Sequence, residues 1–129
     1  MSTSDTTTRG VRIMVSPRYL PERSAPDEER YLFAYDVVIE NVGTVPVQLL
    51  NRHWIVTNGN GTVQEVRGPG VVGCQPRLVP QESFRYTSGC PLDTPVGTMH
   101  GSFQMMLDDN ARFDAVIQPF RLERPGTMN

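Results

Sequence analysis

The sequence predicts a single all-β domain, an antiparallel two-sheet β-sandwich of about seven strands of the fibronectin type III or immunoglobulin-like kind. Three observations support this prediction. Short runs of residues alternate between apolar and polar side chains, which is the period of a half-buried strand. Clusters of Gly, Pro, Asn and Asp separate the runs at intervals typical of a sandwich. The 129 residues are enough to enclose one hydrophobic core.

The domain is expected to cover residues 9–124, with a flexible N-terminal tail at 1–8 and a short C-terminal tail at 125–129. The first eight residues are polar and lack the basic and apolar regions of a signal peptide. A cytoplasmic location is therefore expected. No run approaches the ~18 to 20 apolar residues needed to cross a bilayer, so we expect no membrane insertion.

The first three strands are predicted from runs in the N-terminal half. The first run covers residues 11–17 and ends at a proline, and the second covers 31–42. Between them, residues 21–30 are rich in proline and charge, which indicates an exposed loop of variable conformation. The third run, 45–57, contains the only tryptophan, Trp54, a suitable aromatic anchor for a sandwich core.

Four further strands complete the predicted sandwich. The tetrapeptide Asn58-Gly59-Asn60-Gly61 favours the positive φ of a tight hairpin, so residues 62–67 should return antiparallel to the third strand. The later strands are predicted over residues 83–87, around 103–107 and over 112–122, where aromatic and aliphatic side chains again alternate with polar ones.

One glycine-rich segment departs from this plain β pattern. Residues 68–73, Gly-Pro-Gly-Val-Val-Gly, match G-x-G-x-x-G, the signature of dinucleotide-binding loops. In those folds a helix follows the glycines, whereas here Pro76 and Pro80 follow without helical periodicity, so a Rossmann site is not expected.

Two interpretations of this segment remain open. A glycine-rich loop can present backbone amides to an anion without a helix, and two arginines flank it. The segment is then predicted to bind pyrophosphate or a nucleotide polyphosphate. The alternative is a tight loop whose glycines only supply positive φ. The residues of the anion-loop prediction are Arg67, Gly68, Gly70, Gly73 and Arg77.

Four segments of the chain resemble the ApaG family: GPGVVGCQP at 68–76, NRHWI at 51–55, FRYTS at 84–88 and GTMHGSF at 97–103. The resemblance extends in register over about residues 9–122. It implies a fibronectin type III-like sandwich, in agreement with the strand pattern. It also implies an association with cobalt resistance and magnesium efflux. Related domains in eukaryotic F-box and polymerase-interacting proteins look like partner-binding modules, and the resemblance supplies no catalytic residues.

Metal ligands are present in the sequence, but their spacing is not that of a known site. The close Cys-x-x-Cys or His-x-x-x-His pairs of strong zinc motifs are absent. We therefore expect no metal site, and free thiols rather than a disulfide. The oxygen-rich segment 108–110, with Asp114, could attract a hard cation such as magnesium. Turn chemistry explains residues 108–110 without a cation and is the favoured interpretation. The four soft side chains are His53, His100, Cys74 and Cys90.

Composition narrows the class of function. All twelve basic residues are arginines, so chemistry that depends on lysine is excluded. The net charge of -2 is too balanced for a nucleic-acid binder. No serine lies in a nucleophile-elbow motif, so we expect no enzyme and no cofactor.

The leading hypothesis is a non-enzymatic module with a protein partner, and the alternative is a small-anion binder that uses the glycine-rich segment. A third and weaker hypothesis is direct binding of divalent cobalt or magnesium. A chain without a membrane-spanning segment cannot form a transport path, so any role in cation efflux is expected to be indirect.

Overall fold

The computed structural model describes residues 2–126. Within this range the chain forms two single-turn 3₁₀ helices, Pro21–Arg23 and Pro26–Glu28, and neither of them is long and apolar enough to span a membrane. The strands are β1 Ser4–Thr8, β2 Val11–Tyr19, β3 Tyr31–Asn41, β4 Val47–Asn58, β5 Val63–Pro69, β6 Arg77–Leu78, β7 Ser83–Leu92, β8 Val96–Leu107 and β9 Arg112–Glu123.

The strands form two antiparallel sheets, so the predicted fold class is confirmed. One sheet has the order β1-β2-β3-β7, and the other has the order β5-β4-β8-β9 with β6 also paired to β4. The orders β2-β3-β7 and β5-β4-β8-β9 are those of a fibronectin type III sandwich. Nine strands are described instead of about seven, because β1 and the two-residue β6 were not predicted.

The N-terminal segment corrects the predicted boundaries. Residues 4–8 are not a flexible tail, because β1 pairs with β2 along its whole length. The domain therefore begins before residue 9. At the other end β9 stops at Glu123 and a turn follows at 125–126, while the rest of the predicted C-terminal tail, 127–129, lies outside the described residues.

Strand β1 also covers the free edge of β9 in the opposite sheet. The Oγ of Ser4 donates a hydrogen bond to the carbonyl of Gln118 at 2.8 Å. The backbone N–H of Gln118 donates to Thr6 Oγ1 at 3.3 Å, and that of Val116 donates to Thr8 Oγ1 at 3.2 Å. Hydroxyls on alternate residues of β1 thus make the hydrogen bonds to the β9 backbone that a neighbouring strand would make. They close this side of the sandwich.

The proline-rich connection between β2 and β3 is exposed as predicted, but hydrogen bonds fix its conformation. The Ser24 hydroxyl donates to the carbonyl of Leu20 and accepts from the N–H of Leu32, each within 2.9 Å. Strand β2 itself continues beyond Pro17 to Tyr19. A proline is tolerated there because β1 pairs with β2 only as far as Val15, which leaves one edge of β2 free.

The core between the sheets is centred on Trp54, as the sequence predicts. Its side chain is 2% exposed and its ring contacts three other rings, with centroid distances of 5.3 Å to Tyr35, 5.9 Å to Phe103 and 6.0 Å to Phe120. Aromatic pairs of this kind contribute about 0.5–1.5 kcal/mol each beyond the burial of their surface.

The predicted hairpin between β4 and β5 is confirmed. Gly61 has φ +83°, and the side chain of Asn58 organises the turn by accepting hydrogen bonds from the N–H groups of Asn60 and Thr62, both at 2.9 Å. This connection places β5 at the outer edge of its sheet, next to the glycine-rich segment.

Candidate ligand site under the glycine loop

The glycine-rich segment forms a loop that interrupts one edge of the second sheet. Strands β5 and β6 both pair with β4, and residues 70–76 extend outward between them. At the tip, Val71 and Cys74 exchange two backbone hydrogen bonds of 2.8 Å around Val72 and Gly73, both with positive φ, as in a type I′ turn. Val71 is fully buried and Val72 is exposed, so one valine anchors the loop and the other is presented to solvent.

The three glycines of the motif serve three different purposes. A Cβ on Gly68 would lie 2.8 Å from Nη2 of Arg52, so this glycine makes room for a guanidinium. Gly70 has φ +62°, and its Cβ would lie 2.3 Å from the carbonyl oxygen of Cys74. Gly73 has φ +78° and open space around it, so it serves only the conformation of the turn.

Most amides of the loop are already used within the protein. The N–H of Gly70 donates to the carbonyl of Leu50 at 2.8 Å, and those of Val71 and Cys74 bond within the turn. Among the loop amides of residues 70–74, those of Val72 and Gly73 make no backbone hydrogen bond. The loop alone therefore offers an anion two amides rather than a continuous row of them.

The two flanking arginines of the predicted anion loop are not brought together. Arg67 is 69% exposed, and its Nη2 lies 3.6 Å from Oε2 of Glu65. Arg77 binds Asp108, at the turn between β8 and β9, with an Nη2 to Oδ2 distance of 2.8 Å. Of the five residues of that prediction, the structure gathers only the glycines around one loop.

A different arginine holds the loop from the inside. Nη1 of Arg52 donates to the carbonyls of Pro69 and Gly70, at 2.9 and 3.0 Å. Within residues 2–126, no carboxylate lies within ion-pair distance of Arg52. The available sequence signal was its position two residues before Trp54, which placed a charge on the inward face of a strand.

Arg52 and Trp54 line a cavity of about 230 Å³ beneath the loop. Two of its lining residues carry buried polar atoms, Nε1 of Trp54 and the hydroxyl of Tyr86, that have no hydrogen-bond partner within residues 2–126. Buried donors without a partner are uncommon in proteins and mark places where a further group can bind. The remaining lining residues are Tyr35, Val71, Val72, Gly73 and Ser88.

The hydroxyls in this cavity stay protonated at neutral pH. Burial raises the pKa of Tyr86 far above its ordinary value, and the nearby Tyr35 raises it further, while Arg52 lowers it. Burial also raises the pKa of Tyr35, against a lowering effect of its hydrogen bond with Ser88. The cavity therefore presents neutral O–H and N–H groups beside one permanent positive charge.

A larger depression, of about 510 Å³, lies on the outer face of the second sheet. It is lined in part by His53, Ser102 and Asp114. Nε2 of His53 is buried without a hydrogen bond, 3.5 Å from Oε1 of Glu65. No hydrogen bond of the described chain joins Ser102 to His53, so this pair lacks the geometry of an activated serine.

The side chains considered as soft metal ligands are His53, His100, Cys74 and Cys90. In the part of the chain that the structure describes, no group of three or more His, Cys, Asp or Glu side chains is arranged to hold a metal ion. The acidic segment after β8 is a turn in which Oδ1 of Asp109 accepts from the N–H of Ala111 and Asn110 has φ +70°. Turn chemistry therefore accounts for these oxygen-bearing side chains.

The two cysteines are both free and differ sharply in environment, which leads to a labelling prediction. Cys74 is exposed in the loop, whereas Cys90 is buried and burial raises its thiol pKa to about 11. Because the thiolate is the reactive form, iodoacetamide at pH 8 should modify Cys74 alone in the folded protein and both residues in denaturant. Mass spectrometry counts the adducts, and equal labelling of both cysteines in the folded protein would contradict the prediction.

Comparison with known proteins shows close relatives. Residues 21–107 match the family model described as the ApaG domain. Protein ApaG of Azotobacter vinelandii is 55% identical over 119 residues, which cover 92% of this chain and 94% of that protein. Protein ApaG of Dechloromonas aromatica is 50% identical over 126 residues, or 98% and 99% of the two chains. A crystal structure described as the putative ApaA protein from Bordetella pertussis has 48% identity and a TM-score of 0.90, with coverage of 95% and 99%.

Proposed function

The chain belongs to the ApaG family, and from this premise we propose that it is a non-enzymatic module that binds a partner protein through the open side of its sandwich. The observation that carries the proposal is the difference between the two sides. On one side β1 covers the edge of β9. On the other, in the part of the chain that the structure describes, β5 pairs only with β4 and β7 pairs only with β3, so two strand edges are left free. Free edges are templates for an added strand.

The space between these two edges is a groove with a distinct floor. The inward positions of β5 are Gln64, Val66 and Gly68. Gln64 lines a cavity of about 380 Å³ shared with Leu92 of β7, and Gly68 lies against Arg52 at the cavity beneath the loop. We call this space, from Gln64 past Val66 to Arg52, the inter-sheet groove. Its partly apolar floor suits an extended protein segment.

Exposed apolar side chains support the same location. Val66 of β5 is 44% exposed and Val72 of the loop is 58% exposed. Such residues beside an unpaired edge favour aggregation unless a partner covers them. A protein segment in the inter-sheet groove would bury these two valines while its backbone pairs with β5.

The association with cobalt resistance and magnesium efflux enters this proposal only indirectly. The module would act by binding a protein that takes part in cation transport, and its cytoplasmic location stays a prediction. The alternative function, pyrophosphate or nucleotide binding at Gly68–Gly73, also stays a prediction. It is supported by the two free amides of the loop, and titration of pyrophosphate against the backbone amide shifts tests it.

Site-specific crosslinking tests the protein-partner proposal. Photo-reactive p-benzoyl-phenylalanine is placed at Val66 or Val72, which are 44% and 58% exposed, or at Val116, which is 43% exposed on β9. After irradiation in lysate of the source organism, we expect one protein, crosslinked through a single extended segment, at Val66 and at Val72 but not at Val116. Adducts that are equally abundant at Val116, or absent from Val66, would count against the proposal.

A further inference from the structure

The cavity beneath the glycine loop contains donors and a positive charge but no acid. Arg52 is half-buried there and has no carboxylate partner within residues 2–126, and none of the lining residues is Asp or Glu. Trp54 and Tyr86 each add a buried donor without a partner. We propose that this cavity binds a carboxylate group carried by the partner's extended segment, an inference that rests on the proposed function.

The positive charge of Arg52 favours an anionic ligand over a neutral one in this cavity. A cation removed from water is costly unless it is paired or fully hydrogen-bonded. The two hydrogen bonds that Nη1 of Arg52 donates to the carbonyls of Pro69 and Gly70 offset part of this cost. The structure gives no hydrogen bond for Nε or Nη2, and these are the atoms with which arginine binds a carboxylate side-on.

The number of charges and the size of the cavity select a carboxylate over a polyphosphate. One guanidinium balances one negative charge, whereas pyrophosphate carries several at neutral pH. Arg67 and Arg77, which could have balanced the others, have carboxylate neighbours of their own. A volume of about 230 Å³ also accommodates one planar group with the chain that carries it rather than a nucleotide.

The position of the cavity points to a carboxylate on a protein. It lies at the loop end of the inter-sheet groove, between Val72 and Tyr86. A segment that pairs with the free edge of β5 passes this opening, so an Asp or Glu side chain or a chain terminus can enter it. Recognition would then combine backbone pairing along the edge with one charged anchor at its end.

The single tryptophan provides a direct probe of the site. The ¹⁵N-labelled full chain gives one indole N–H resonance, that of Trp54. Sodium acetate is titrated against it at constant ionic strength, with acetamide as the neutral control. We expect acetate, but not acetamide, to shift this resonance and to saturate in the millimolar range, about what so small a ligand reaches. An indole resonance that acetate does not move overturns the inference.

Three variants separate binding from structure. Arg52→Gln should weaken acetate binding at least about tenfold, and Tyr86→Phe should weaken it several-fold. Tyr86→Phe removes only an unpartnered hydroxyl, so its stability should equal or exceed that of the parent, which a purely structural role for this hydroxyl would not allow. Arg67→Gln is the matched control on the outer face and should bind acetate as the parent does. Equal affinity in all three variants contradicts the assignment.

The crosslinking experiment identifies the source of the carboxylate. Arg52→Gln should reduce the adduct formed at Val66 if the partner supplies the carboxylate. Acetate binding with a Val66 adduct that does not depend on Arg52 overturns the protein source and leaves a site for a free carboxylic acid. A Val66 adduct in a chain that does not bind acetate overturns this inference alone and leaves the proposed function standing.

Discussion

Replacement of Gly101 by alanine is expected to destabilise the domain by about 3 kcal/mol or more, because the added methyl group meets backbone on the neighbouring strand. A Cβ at this position would lie 2.0 Å from the carbonyl oxygen of His53 and 3.1 Å from Cα of Trp54. Gly101 is paired with Trp54 in the middle of the second sheet, beside the irregularity in register at His100. Relief of the clash therefore requires β4 and β8 to separate at the core tryptophan. Urea unfolding of Gly101→Ala measures the loss.

Gly89→Ala is the matched control for this prediction. Gly89 is also a strand glycine, in β7, but its Cβ would meet nothing closer than 3.6 Å, and its φ is not positive. Its substitution should change the free energy of unfolding by no more than about 0.5 kcal/mol. If Gly101→Ala and Gly89→Ala unfold at the same urea concentration, the close approach of β8 to β4 is not what the structure describes.

Deletion of residues 2–8 should both destabilise the protein and make it self-associate. Deletion removes every backbone hydrogen bond between β1 and β2 together with the hydroxyl contacts to β9. At about 1 kcal/mol for each hydrogen bond, several kcal/mol of stability should be lost. The uncovered edge of β9 becomes a template for another copy, so size-exclusion chromatography should show oligomers that increase with protein concentration.

Point variants test whether the hydroxyls themselves cover the edge. Thr6→Val combined with Thr8→Val preserves shape and removes two acceptors for the amides of β9. Thr7→Val is the control, because that side chain is exposed and bonds to nothing on β9. We expect self-association from the double variant and none from Thr7→Val. Identical monomeric profiles for both would show that backbone pairing of β1, rather than its hydroxyls, protects the edge.

The strands of the sandwich could be predicted from the sequence wherever apolar side chains alternate with polar ones. The strands around Trp54, Phe103 and Ile117 follow from that period, and the hairpin at 58–61 follows from its asparagines and glycines. Strand β1 was not predicted, because its alternate residues are Ser and Thr and so show no alternation of apolar and polar side chains. The partners of these hydroxyls lie 108 to 114 residues away, so their role exists only in the folded chain.

The candidate site illustrates the same limit. The glycine motif lies in the loop, but the arginine that contacts the loop carbonyls is Arg52 rather than Arg67 or Arg77, which are nearer to the motif in sequence. The register of β4 and β5 places Arg52 opposite Gly68. At the end of β8, Asp108 accepts a hydrogen bond from Arg77. The position of Arg52 before Trp54 indicates that its side chain faces inward. Its contact with the loop depends on cross-strand register, which is a property of the whole sheet and is not predicted by a local pattern.

The closure of one side by β1 also determines when the domain can be completed. Strand β1 can form its contacts with β9 only after β9 has been synthesised, because Ser4 and Gln118 are 114 residues apart. Contacts of such separation form late in folding, since the chain loses entropy before they contribute. During synthesis the side that β1 covers thus remains open until β9 has been made, and only then does β1 join the two sheets.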